Sequence, residues 1–165
     1  MANEKALARF RESLGRLLYE TFEQGYISYL DRDASLFQTL ATLSAAEVSR
    51  PVSATCASIA AQVEHTRFYL EVCARYGRGE QVGNIDWDAS WQLRSVTPEE
   101  WEALKDRLNE TYRNLQSVLQ TPATWENQLA IAGSMNALVH SAYHLGEIRE
   151  ALCTIKNSLA AAPQV

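Results

Sequence analysis

Val139-His140-Ser141-Ala142-Tyr143-His144-Leu145-Gly146-Glu147-Ile148-Arg149 carries the most information in this chain. It reads as the middle of one long helix, about residues 134 to 157. Residues four apart on a helix stand one above the other on the same face. His140 and His144 therefore form a pair able to share one metal ion, with room for a third ligand from a facing helix. The chain has only three histidines. The third, His65, falls in the middle of another expected helix. Three neutral nitrogen donors with a position left open make a working metal centre rather than a closed structural one.

The same helical face continues to Glu147, seven residues beyond His140 and roughly 20° around the axis. Glu147 leans toward the N-terminal side, as helical side chains do. It is a candidate to accept the remote ring N–H of a ligand histidine, and a weaker candidate for a fourth ligand. Tyr143 borders the stripe as a second supporting candidate. Ala137 and Ala151 flank it with small side chains.

The periodicity outside this stretch is helical almost throughout. Leu7, Phe10, Leu14, Leu17 and Leu18 mark a helix from about 4 to 23, with Asn3 as its N-cap. Gly25 and the following Tyr-Ile-Ser-Tyr-Leu-Asp-Arg-Asp segment interrupt it. Asp33 caps a shorter helix over about 34 to 43, and Ser44-Ala-Ala-Glu47 is a capping box for a brief turn before Pro51. A second long helix begins after Ser53 or Thr55, carries Ile59, Val63, Phe68 and Val72, and stops at Gly77. Residues 77 to 96 are the longest irregular segment, and so long a connection is more often functional than a bare link. Thr97, Pro98, Glu99 and Glu100 open a third long helix that runs to about Leu119. Its buried stripe is Trp101, Leu104, Leu108, Tyr112, Leu115 and Leu119. Four principal helices imply an all-α four-helix bundle in a single domain over 1–165, with the histidines on facing helices.

Composition narrows the function. Hydrophobic residues are 47% and charged residues 21% of 165, as in a soluble globular protein. A net charge of −5 with no basic cluster argues against nucleic acid as a partner. No apolar run is long enough for a membrane span, and the charged N-terminus does not read as a secretion signal, so a cytoplasmic location is expected. Cys56, Cys73 and Cys153 form no C-x-x-C pair and read as small buried hydrophobes. The tail from Ala160 to Val165 reads as frayed.

The run from Val139 to Arg149, the Ser58-Ile59-Ala60-Ala61-Gln62-Val63-Glu64-His65 segment, and Asp86-Trp87 to Trp91 ahead of Thr-Pro-Glu-Glu together resemble the DinB-like (YfiT-like) metalloenzyme family over about residues 5 to 157. The resemblance implies an up-down-down-up four-helix bundle, a divalent metal on His65, His140 and His144, and a homodimer. It implies either a thiol-dependent S-transferase, using a low-molecular-weight thiol such as bacillithiol or mycothiol, or a metal-dependent hydrolase. Glu147 stands where related sequences often have Gln. The other class of function is a non-catalytic metal-binding stress or interaction module that dimerises through its helical surface. The expected ion is zinc, nickel, iron or manganese, and copper also suits imidazole donors. Catalysis would fall to the ion, since no other nucleophile is evident; Trp87 and Trp91 are candidate pocket walls, although packing anchors are the commoner role.

Overall fold

The computed structural model describes residues 2–160, with side chains over 3–158. Those residues form six α-helices and two short 3-10 turns, with no strand among them. The helices are α1 (Ala2–Phe22), α2 (Leu36–Ala41), α3 (Ala45–Val48), α4 (Ile59–Gly77), α5 (Pro98–Gln120) and α6 (Gln128–Ala160). The 3-10 turns are Asp88–Trp91 and Pro122–Glu126. Helix α4 packs most extensively on α6 and α5, and α1 lies against α6. One contiguous apolar core joins Leu18 and Phe22 of α1, Leu70 of α4, Leu108 and Leu115 of α5, and Leu145 and Ile148 of α6. No helix among the described residues is long and apolar enough to cross a membrane.

Local chemistry sets most helix starts. Thr97 accepts from the Glu100 N–H while the Glu100 carboxylate accepts from the Thr97 N–H, and Pro98 occupies the first turn. Ser44 and Glu47 make the same reciprocal pair ahead of α3. Other boundaries differ from expectation. Asn3 lies inside α1 rather than capping it. Ser35, not Asp33, caps α2 in a box with Gln38, and Asp33 takes a left-handed backbone (φ 57) instead. Helix α4 starts only after Ser58, whose side chain accepts from the Ala61 N–H. Helix α6 starts at Gln128, six residues early, because the Pro122–Glu126 turn delivers the chain straight into it. Val118 is buried in the α5 stripe, and Leu119 only partly.

Gly77 has a different role from the stop signal expected of it. It is the last residue of α4, and the left-handed turn that ends the helix is at Gly79 (φ 74). A Cβ on Gly77 would lie 2.5 Å from Cγ1 of Val118. The missing side chain lets α4 approach α5 closely.

The break after α1 is organised by a charge. Oε1 of the buried Glu20 accepts from the backbone N–H groups of Ile27, Ser28, Tyr29 and Leu30, at 2.7 to 2.9 Å. Burial pushes this carboxyl's pKa up, but the four donors outweigh it and hold the value down at about 2. The turn is a cradle of backbone N–H groups filled by the chain's own carboxylate.

Of the cysteines only Cys73 is buried, and burial pushes its thiol up to about 12. Cys56 and Cys153 are exposed, contrary to their reading as buried hydrophobes, because each falls on a solvent-facing position of its segment. The expectation of a frayed tail lies outside the described residues beyond Ala160.

Candidate metal centre

Helix α4 supplies His65, and α6 supplies His140 and His144 one turn apart. The three rings converge. Their donor nitrogens all lie within 4.8 Å of one another, and the Nε2 atoms of His65 and His140 are 3.1 Å apart. Two imidazoles on one zinc ion, at metal–nitrogen distances of about 2.0–2.1 Å in a tetrahedron, place their nitrogens roughly 3.3 Å apart. The His65–His140 pair is close to that separation already, and no two of the donors are more than 4.8 Å apart. Among the described residues these three form the convergent donor set.

The remote nitrogens show how the rings are aimed. Oγ of Ser90 donates to the Trp87 carbonyl at 2.6 Å, so its proton is committed. It must therefore accept from Nδ1 of His65, 2.7 Å away. That places the His65 proton on Nδ1 and leaves the Nε2 lone pair facing the other histidines. On His144, Nδ1 lies 2.9 Å from Oε2 of Glu147. The carboxylate sits off the line of the ring N–H, so the two groups are in close approach without an aligned hydrogen bond. Glu147 thus stands behind His144 and outside the donor set. Tyr143 is 61% exposed and meets His144 edge-on at 5.1 Å. The neighbouring Glu147 carboxylate pushes the Tyr143 hydroxyl's pKa up.

Aromatic rings fix the imidazole planes. Trp91 stacks on His65 with centroids 3.9 Å apart, and Tyr69 stacks on His140 at 3.7 Å. Trp87 closes the corner against Phe68 and Tyr69. The long 77–96 segment therefore folds over the histidines and delivers Trp87, Ser90 and Trp91 to them. Asp86 organises this by accepting from the Ala89 N–H at 3.0 Å, which starts the 3-10 turn. The far end is tied down where the Val96 N–H donates to Ser49 Oγ at 3.0 Å.

Ser90 and Tyr69 were not anticipated from the sequence. Tyr69 had a legible signal, four residues after His65 on the same helical face. Ser90 had none, because a loop has no periodicity from which to infer a direction.

Burial makes all three imidazoles poor proton acceptors. His65 and His140 are each pushed down to about 4, by burial first and then by neighbouring histidines. His144 is lowered by burial, and Glu147 pulls it partly back up. At neutral pH the rings are uncharged, the form that ligates a metal. His65 and His144 are buried, while His140 is half-buried and gives the centre a side open to solvent.

A groove of about 580 Å³ runs along the other side, with Gln62, Trp91, Glu147 and Glu150 among its walls. A cleft of about 460 Å³ between α1 and α5 contains none of the histidines.

No family model matches this chain, and neither a curated protein nor a solved structure matches it.

Proposed function

We propose that the chain is a divalent-metal protein, with a four-helix bundle of the DinB-like, up-down-down-up kind as its frame. Its three-histidine centre performs thiol-dependent S-transfer or hydrolysis on a small molecule. The observation that carries the reading is the convergence of His65, His140 and His144 with His65 already in its coordinating tautomer. A divalent ion held there supplies a Lewis acid that makes bound water or a bound thiol acidic near neutral pH. The protein holds the imidazoles uncharged by burial and locks two ring planes by stacking. The half-buried edge at His140 and the groove beside Glu147 admit substrate. Glu147 and Tyr143 support His144 from behind, which suits them to orient a ligand rather than to be one.

A second reading has its own observation. Met135, Val139 and Tyr143 follow at intervals of four along α6, each 49% exposed or more. An apolar stripe of this kind fits a homodimer built on α6, the surface that the non-catalytic metal-binding module would use.

The test is elemental analysis of protein purified without a metal-affinity tag, beside His144→Ala, followed by assays of thiol conjugation and ester hydrolysis. About one equivalent of zinc, nickel, iron or manganese in the parent protein, lost in the variant, supports the centre. Metal content unchanged by His144→Ala removes it. A loaded protein inactive in both assays, and dimeric in solution, favours the second reading.

A further inference from the structure

The groove flanking the histidines has a chemistry of its own. Trp91 and Glu147 are shared between the two: the Trp91 ring stacks on His65, and the Glu147 carboxylate reaches His144. A molecule lying in the groove is thus one side chain away from the centre. Two carboxylates, Glu147 and Glu150, stand on its α6 side, and no lysine or arginine lines it. Gln62 enters from α4, one turn before His65, and is 8% exposed. Its Oε1 is buried and has no donor. An acceptor left dry and unpaired is costly, and turning the amide toward the groove to meet a ligand N–H would relieve that cost. Ala57 and Ala151 add small apolar surface, and the indole of Trp91 offers a face that attracts cations.

We infer that this groove binds the non-reacting end of the substrate and takes a small organic cation with N–H donors, an alkylammonium group. Gln62 accepts one N–H, the Glu147 and Glu150 carboxylates supply the charge, and the alkyl portion lies on Ala57, Ala151 and Trp91. Combined with the proposed function, on which this step rests, the substrate is an amine-bearing small molecule whose other end reaches the metal. An aminothiol such as cysteamine has the required parts.

The experiment uses the full chain, zinc-loaded and metal-free, followed by two-dimensional amide NMR. Ethylammonium chloride, sodium propionate and n-propanol are titrated as probes of similar size and different charge. Ethylammonium is expected to shift the Gln62 side-chain amide and the Trp91 indole N–H saturably, with propionate and propanol inert at those signals. Gln62→Leu should weaken ethylammonium about tenfold, the scale of one hydrogen bond to a charged group, and the solvent-facing Glu150→Gln about two- to fivefold, the scale of an exposed charge pair. Equal response to all three probes, or undiminished binding in Glu150→Gln, overturns the inference. Should Gln62→Leu fail to fold, the solvent-facing Glu150→Gln decides alone. Packing of protein segments forms the groove, so ethylammonium should bind with or without zinc. Selective binding in a protein that takes up no zinc defeats the metal reading alone. Zinc bound at the histidines without ammonium selectivity defeats the groove reading alone.

Discussion

Nδ1 of His65, in the middle of α4, donates to Oγ of Ser90 in a loop turn twenty-five residues later, across 2.7 Å. Because Ser90 gives its own proton to the Trp87 carbonyl, the bond has one polarity. It turns an ordinary helical histidine into one whose Nε2 lone pair faces His140. The long loop is therefore part of the centre.

Ser90→Ala removes the acceptor that holds the His65 tautomer. Loss of such a partner typically costs 10- to 100-fold in metal affinity. Competition against a chromophoric chelator should show a fall of about that size, with the far-ultraviolet circular dichroism unchanged. Equal affinity in the two proteins would falsify the tautomer argument.

Proton and metal compete for the same nitrogens, and the depressed pKa values of His65 and His140 move that competition below the ordinary 6.5 toward about 4. Metal occupancy should hold at pH 6 and decline between there and about 4. The metal-free protein should follow the same window. Its unfolded chain takes up protons near 6.5 and its folded state only near 4, so stability falls as pH drops through that interval. Urea denaturation of the metal-free protein at pH 7, 5.5 and 4 tests the sign. A midpoint that rises on acidification contradicts it.

Glu20→Gln keeps the shape of the turn-filling side chain and removes its charge. We expect a loss of about 2 kcal/mol at pH 7, in the range for hydrogen bonds to a charged group. A carboxylate held at about 2 contributes stability above the ordinary 4.5 that disappears as pH falls toward 2. The gap between parent and variant should therefore shrink across that window. A gap independent of pH would show that the charge is not what holds the turn.

Gly77→Ala forces a methyl group against Cγ1 of Val118. Overpacking of this kind costs about 1–3 kcal/mol. Val118→Ala in the same chain should recover much of the loss, which thermal melts of the two single variants and the double variant would reveal. Additive losses would place the strain elsewhere.

Helix existence and the histidine pair could be read from the sequence because both depend on short-range spacing. Period-3.6 apolar stripes marked α1, α4, α5 and α6, and the i, i+4 rule put His140 and His144 on one face before any packing was known. Capping residues were legible where one reciprocal pair stood alone, as at Thr97–Glu100, and misleading where several candidates competed, as at Asp33 and Ser35. Only the tertiary structure could bring His65 to the other two, since that depends on which face α4 turns toward α6. The same holds for the close α4–α5 approach at Gly77 and for Ser90, Trp91 and Tyr69 around the rings. Contacts between segments far apart in the chain arise from shape complementarity and the burial of specific atoms, neither of which has a period in the sequence.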